Sequence, residues 1–328
     1  MVSEIKPIFL FSLPRSGSTL VQRILASSAQ ISTVSEPWIL LPLLAARRLQ
    51  GTFADYSHLS AFYAIGDFIN KLPDQETTYR AEVRRFILNL YGQVAVPGAE
   101  YFLDKTPRYH NFAHEIMSIF GDDARYIFLW RNPLSIIASM IETGGGRWNL
   151  SQYKVDIYHG LDNLIRTYQN SQSNVIAVNY ENLVGEHAGA ESKKMFNYIG
   201  VDFSPSFLSN FSDVRLKGTA GDQSGTREYH TISTAPLQKW KTILSNPVRK
   251  KWSKNYLRWI GENRLSAIGY SLDDLTRQID SLHGPWQGGV ADLGRMAFGE
   301  VRCVLSLRSI YYNIQKIPDL KNILSLEY

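Results

Sequence analysis

The chain has 328 residues, of which 44% are hydrophobic, 20% charged and 12% aromatic, with 35 Lys and Arg against 30 Asp and Glu. That composition excludes a disordered or collagen-like chain and supplies ample core for one large domain or one domain with an appendage. A net charge of +5 suits an anionic ligand but lacks the dense basic stripe of a nucleic-acid surface, and the single Cys303 excludes an internal disulfide framework. No cationic segment precedes a long apolar one at the N-terminus, and Trp38 to Ala46 is too short for a bilayer, so the expectation is a cytoplasmic protein without a membrane span.

The apolar run Ile8 to Leu13 predicts a buried strand. A turn on Pro14 and Gly17 follows, and Leu20, Val21, Ile24 and Leu25 recur at helical spacing, so a helix is predicted to begin near Ser16. Glu36-Pro37-Trp38 interrupts the pattern, and residues 49–95 read as helices. Tyr101 to Asp104 predicts a second strand that ends in Lys105-Thr106-Pro107, with a helix following through Phe120. Tyr126 to Trp130 carries no polar interruption beyond its tyrosine, as expected of a strand covered on both faces, and it runs into Arg131-Asn132-Pro133. The next helix starts on that proline and carries the stripe Leu134, Ile137, Ala138 and Ile141.

Gly144 to Gly146 reads as a hinge at the mouth of an acceptor site. A helix near 153–170 precedes a fourth strand, Val175 to Tyr180. Helices are predicted at about 189–199, 204–211 and 236–265, with a Gly-rich, charged loop from Arg215 to Gly225. The basic run Arg249-Lys250-Lys251 reads as a solvated helix face. Pro285 to Gly289 reads as a linker, and a last helix is predicted from Gly294 to Ile314. Strands alternating with helices imply an α/β fold: a P-loop-like parallel sheet flanked by helices, with helical insertions and a C-terminal helical extension. The expected division is residues 1–284 as the main domain and 285–328 as an extension packed on it.

In such a sheet ligands sit at the carboxyl ends of the strands, and Arg15, Lys105 and Arg131 all fall just past such ends. A strand, a small-residue turn and a helix start bring backbone N–H groups onto an anion, and Arg15, Ser16, Ser18 and Thr19 add donors there. An ordinary strand-to-helix turn is the alternative. The turn is not the nucleoside-triphosphate loop GxxxxGK[ST], because Leu13 holds the first glycine position and Ser18 the lysine position. His110 and His114 are spaced i and i+4 but lack the glutamate of HExxH, so no metal is expected.

These residues resemble the sulfotransferases that use 3′-phosphoadenosine-5′-phosphosulfate (PAPS) and release 3′-phosphoadenosine-5′-phosphate (PAP). Pro14-Arg15-Ser16-Gly17-Ser18-Thr19 resembles the 5′-phosphosulfate loop of that family, and Arg131 with Ser139 resembles its 3′-phosphate motif, RxxxxxxxS. Asp104-Lys105-Thr106-Pro107 is similar to the family's lysine segment. Lys217-Gly218-Thr219-Ala220-Gly221-Asp222 looks like the KGxxGD loop that covers the nucleotide. Leu265 to Tyr270 resembles its late LGY segment. The resemblance implies the sulfotransferase fold, a PAPS donor, a metal-independent reaction and a hydroxyl or amine acceptor. It implies that Arg15, Ser16, Gly17, Ser18 and Thr19 hold the 5′ end, Arg131 and Ser139 the 3′-phosphate, and Lys217 and Gly218 the cover. Arg15 and Lys105 would offset charge on the leaving phosphate.

Where many cytosolic relatives place a histidine base, this chain has Pro107. Ser35-Glu36-Pro37-Trp38 resembles the segment that carries a glutamate base in the tyrosylprotein branch, so Glu36 is the expected base, with a helix cap as its alternative role. His110 is the other candidate, although a helix-surface position is expected for it. Tyr56, Tyr63, Tyr79, Trp148 and Tyr153 suggest an aromatic-lined pocket for a small-molecule acceptor, while Trp148, Trp240 and Trp259 read as packing residues. Two other readings are a P-loop small-molecule kinase, which lacks its lysine and Mg²⁺ carboxylate here, and a nucleotide-binding protein without transfer activity.

Overall fold

The computed structural model describes residues 5–49, 52, 54, 56–171, 174–216 and 231–304. Five strands form one parallel sheet in the order β2-β3-β1-β4-β5. They are β1 (Lys6–Phe11), β2 (Ile31–Thr33), β3 (Tyr101–Asp104), β4 (Arg125–Trp130) and β5 (Val175–Asn179). From β1 the chain builds first toward β2 and β3 on one side, then crosses to β4 and β5 on the other. The three central strands are thus those that precede Arg15, Lys105 and Arg131.

Side-chain alternation along the strands explains the layering. Phe9 and Phe11 of β1, Phe102 of β3 and Phe128 and Trp130 of β4 pack into a core on one face of the sheet. Ile8 and Leu10, Leu103, and Ile127 and Leu129 pack into a second core on the other. Each fully buried large side chain contributes roughly 1.5–3 kcal/mol. The second core holds α1 (Ser18–Leu25) through Val21, Ile24 and Leu25. The first is covered by α2 (Leu40–Ala45), α4 (Glu76–Val94), α5 (Ala113–Phe120), α6 (Pro133–Thr143) and α7 (Leu161–Asn170), while α3 (His58–Ile69) lies before α4 in the chain.

Several predicted elements differ in detail. The first helix starts at Ser18 rather than near Ser16. The edge strand β2 was not anticipated, because three residues are too few to show a period of two. The helix expected over 153–170 comprises a 3₁₀ turn, a π-helical turn Val155–Gly160 and then α7. The single helix expected over 236–265 is three α-helices, Lys239–Ile243, Pro247–Ile260 and Glu262–Ala267. Pro247 lacks the N–H a continuous helix needs, Asn246 caps the new start by accepting from the Arg249 N–H, and Gly261 takes φ +77° at the second break.

The C-terminal helix begins at Gly289, inside the segment expected as a linker, and the part predicted beyond Val304 lies outside the described residues. This helix is held to helix Pro247–Ile260 by Arg249, whose Nε donates to Asp292 at 2.7 Å. Gly144 to Gly146 follow α6, and the Gly146 carbonyl accepts from Arg249 Nη2 at 2.8 Å. None of the three glycines lines the cavity described below. Among the described residues no helix is long and apolar enough to cross a membrane.

Candidate active site

The β1–α1 turn takes its shape from two left-handed residues, Arg15 at φ +69° and Gly17 at φ +90°. Glycine is required at position 17 for a second reason: a Cβ there would lie 2.3 Å from Cε2 of Tyr180. The turn delivers the chain to Ser18, the first residue of α1; the Leu20 N–H donates to the Gly17 carbonyl at 3.0 Å, which leaves the N–H groups of Ser18 and Thr19 without an acceptor inside the helix. An anion placed there meets those donors and the positive end of the helix dipole.

Arg131, one residue past β4, is buried and reaches back to this turn. Its Nη1 donates to the Arg15 main-chain carbonyl at 2.7 Å, and its guanidinium carbon lies 4.4 Å from the centroid of the Tyr180 ring. Arg15 Nε in turn donates to Ser139 Oγ at 3.3 Å. The start of α6 is fixed by Asn132, which caps the Leu134 N–H, while its own N–H is accepted by Glu181 at 2.9 Å. Glu181 also accepts from the Tyr270 hydroxyl at 2.6 Å, so the late segment ending in Tyr270 braces the end of β4 from a distance in sequence.

These groups line a cavity of about 640 Å³. Pro14, Arg15, Gly17, Ser18, Thr19, Glu36, Arg131, Ser135 and Ser139 contribute to its wall. Arg131 and Ser135 both line it, and the buried Arg131 Nε and Ser135 Oγ make no hydrogen bond among the described residues. A buried donor normally has a partner, so two such groups beside a helix start fit an oxyanion such as a phosphate or sulfate. Ser16 is buried under the turn and does not line the cavity; its Oγ is likewise without a partner. Lys217 and Gly218 lie outside the described residues.

Sequence reasoning did not single out Arg23, Ser135, Tyr180, Glu142 and Lys239 as cavity residues. Ser135 lies four residues before Ser139 in α6, one helical turn away, which is the signal that could have found it. Arg23 fixes the far wall, with Nε donating to the Phe211 carbonyl at 3.0 Å and its guanidinium over the Phe211 ring. Lys239 Nζ donates to Glu142 Oε1 at 3.0 Å across the rim.

Glu36 and Lys105 meet at the floor. Lys105 Nζ donates to Glu36 Oε1 at 2.7 Å, with side chains 2% and 9% exposed, and Trp38 Nε1 donates to the other carboxylate oxygen at 3.1 Å. Only Glu36 of the pair lines the cavity. Asp104, beside Lys105, is fully buried, and burial pushes its carboxyl up to about 6 against the pull of three hydroxyl donors and of Lys105. The same burial, with the Asp104 charge adding to it, holds the Tyr91 and Tyr109 phenols protonated well above their usual range.

Other expectations are corrected here. His110 is not on a helix surface: it is fully buried, and its Nε2 lies 2.6 Å from Asp156, whose other neighbour is Arg108. Gly160 allows that packing, since a Cβ there would lie 2.5 Å from the imidazole. Tyr56, Tyr63, Tyr79, Trp148 and Tyr153 do not line the cavity. Tyr56 and Tyr63 are exposed, and Trp148 packs edge-on against Trp252 at 5.0 Å. Trp240 is core, as expected, and also forms part of the cavity wall.

Among the described residues no group of three or more His, Cys, Asp or Glu is placed to hold a metal. A second cavity, of about 500 Å³, carries Lys250, Lys251, Lys254 and Arg258, and none of the turn residues reaches it. There Lys254 pairs with Asp280 at 2.8 Å and Lys250 caps the Leu282 carbonyl at 2.6 Å.

A parallel α/β sheet with such a turn after its central strand and cations past the neighbouring strands is built to hold a phosphate or sulfate group at the carboxyl ends of its strands. The profile of the sulfotransferase family matches residues 7–205, and the chain belongs to that family. It has the sulfotransferase α/β fold. It is 31% identical over 151 residues to nodulation protein NoeE of Sinorhizobium fredii, a match covering 44% of this chain and 34% of that protein. The chain thus spans about a third of the curated relative it matches. Its fold is similar to the sulfotransferase domain from the curacin biosynthetic pathway, with a TM-score of 0.54 and 22% identity over 82% of this chain and 99% of that one. It is also similar to the sulfotransferase domain of the Synechococcus PCC 7002 olefin synthase, with a TM-score of 0.50 and 23% identity over 73% and 89% of the two chains.

Proposed function

We propose that this sulfotransferase takes its sulfuryl group from PAPS and passes it to a hydroxyl or amine of a small-molecule acceptor in the cytoplasm. The observation that carries the reading is the joining of the Arg15 turn to Arg131 around one cavity that Arg131 and Ser135 line, with Arg131 Nε and Ser135 Oγ buried and without a hydrogen-bond partner among the described residues. PAPS supplies the sulfuryl group when bound. Gly17, Ser18 and Thr19 hold its 5′ end through the helix start, where the backbone donors are fixed before the ligand arrives, while the buried Ser16 supports the turn from beneath. Arg131 and Ser139 hold the 3′-phosphate, for which a planar guanidinium is better matched than a lysine. Lys217 and Gly218 cover the nucleotide.

Glu36 accepts the proton of the acceptor, for which it needs to be ionised and to face the cavity. Lys105 and Arg15 offset negative charge on the leaving phosphate. The Lys105–Glu36 pair has a consequence for both roles: Lys105 orients Glu36 before the nucleotide binds, and must share its ammonium with the nucleotide afterwards. Residues 1–284 are read as the catalytic unit and 285–328 as its extension.

The test is incubation with PAPS and a panel of hydroxyl and amine acceptors, with sulfated product and PAP quantified by mass spectrometry. Product is expected with PAPS, in EDTA as well as without it. Turnover of ATP with Mg²⁺ in place of PAPS, abolished by chelation, would return the kinase reading.

A further inference from the structure

Glu36 stands in an awkward piece of chain. It is followed by Pro37 and then by Trp38, a non-glycine residue at φ +57°, a conformation that persists only when its surroundings over-determine it. The groups that hold this segment lie at the end of β3. The Trp38 N–H donates to Thr106 Oγ1 at 3.3 Å, and the Leu40 N–H donates to the Tyr109 hydroxyl at 3.4 Å. Both hydroxyls turn their own protons onto one carboxylate: Thr106 Oγ1 donates to Asp104 Oδ1 at 3.2 Å and Tyr109 to Oδ2 at 2.9 Å. A third donor, the Tyr91 hydroxyl from α4, also meets Oδ2, at 2.5 Å.

Asp104, Thr106 and Tyr109 are buried, so this network is closed to water. An acceptor-only carboxylate forces each hydroxyl to donate inward, which leaves the hydroxyl lone pairs facing the Trp38 and Leu40 amides. The chain between them carries the Trp38 indole that donates to Glu36. Asp104 itself does not line the cavity and makes no hydrogen bond to Glu36 or Lys105 in the described residues.

We propose that Asp104 is a positioning residue: through the Thr106 and Tyr109 hydroxyls it clamps the main chain of residues 38–40 to the end of β3 and so sets Glu36 against Lys105. The consequence for activity rests on Glu36 being the base, whereas the clamp does not.

The test reads the clamp without the nucleotide. Amide hydrogen exchange at Trp38 and Leu40 is measured in the full chain and in Asp104→Asn, Thr106→Val and Tyr109→Phe. Loss of one hydrogen bond should speed exchange by about fivefold. Thr106→Val should free the Trp38 amide and Tyr109→Phe the Leu40 amide, while Asp104→Asn frees both. The two hydroxyl variants keep the carboxylate and two of its three donors, so they carry the test if Asp104→Asn does not fold. Turnover gives the second readout: Asp104→Asn should slow transfer about tenfold in the presence of Glu36, a loss equivalent to about one hydrogen bond's worth of misplacement. It should slow Glu36→Gln no further, with PAP affinity unchanged in both backgrounds. Unaltered exchange in all three variants overturns the clamp, and an equal tenfold loss in the Glu36→Gln background overturns the claim that Asp104 acts on turnover by setting Glu36. Faster exchange combined with full turnover in Glu36→Gln would support the clamp and overturn Glu36 as the base.

Discussion

The guanidinium of Arg131 donates to the main-chain carbonyl of Arg15 at 2.7 Å, so the cation past β4 helps hold the turn past β1. Arg15 sits at φ +69°, and the bond fixes its carbonyl in that left-handed arrangement. Arg131 therefore shapes the turn while lining the cavity, and its buried Nε has no hydrogen-bond partner among the described residues. Two residues expected to serve opposite ends of a nucleotide are also joined, since Arg15 donates to Ser139 at 3.3 Å.

Gly17 is the position where the turn tolerates least. Gly17→Ala meets both a φ of +90° and the Tyr180 ring 2.3 Å from the new carbon, whereas Gly98→Ala meets φ +88° with nothing within 4 Å. The backbone strain of about 1–3 kcal/mol is common to both. Gly17→Ala should lower the urea-unfolding free energy by more than Gly98→Ala, and should weaken PAP binding, which Gly98→Ala should leave alone. Equal losses in the two variants would mean that Tyr180 moves aside freely.

The Glu36–Lys105 pair predicts a particular kinetic pattern. Glu36→Gln should slow transfer by about 10²–10⁴-fold with nucleotide affinity nearly unchanged, the usual worth of a general base. Lys105→Ala should cost a comparable factor, because it removes a cation from the leaving phosphate and also leaves the Glu36 carboxylate without its partner. Full turnover in Glu36→Gln would contradict Glu36 as the base, whereas a loss in His110→Ala is expected only as lost stability, since His110 is buried against Asp156 and does not line the cavity.

Asp104 predicts a pH dependence of stability with a definite sign. Its carboxyl is raised from 3.8 to about 6 by burial, so the folded state binds a proton more tightly than the unfolded chain does. Its stabilising contribution is fully present below pH 3.8 and is lost as pH rises through about 6, a change on the order of 3 kcal/mol. The groups facing it are Lys105, Tyr91 and Tyr109, and the two phenols stay protonated throughout that range. Relative to Asp104→Asn, the wild-type chain should therefore lose stability between pH 4 and pH 7 in urea titrations. A parallel pH dependence for the two proteins would contradict the assignment.

Much of the sheet could be read from sequence because its central strands are continuous apolar runs bounded by turns. Ile8 to Leu13 and Tyr126 to Trp130 both end at a cation, and covering on both faces leaves no other pattern to compete. β2 escaped because it is short, and the break at Pro247 was carried in the sequence by Asn246-Pro247 but masked by the apolar stripe on either side. The approach of Arg131 to Arg15 could be expected only as a shared position past strand ends; the bond between them depends on how β1 and β4 pair. The Asp104 network was illegible because its members come from α4, the end of β3 and the turn after it, and a tyrosine in an apolar stripe carries no mark of where its hydroxyl points. His110 was misplaced for the same reason: its partner Asp156 lies 46 residues away in a π-helical turn.

Arg131 is proposed to bind the 3′-phosphate of the donor, and calorimetry separates that role from the alternatives. PAP should bind much more tightly than adenosine 5′-phosphosulfate, which lacks the 3′-phosphate, because losing a buried charge-assisted pair costs about 2–5 kcal/mol. Arg131→Lys, which removes the fork but keeps the charge, should narrow that difference chiefly by weakening PAP. Equal affinity of the wild-type enzyme for the two nucleotides would contradict the account.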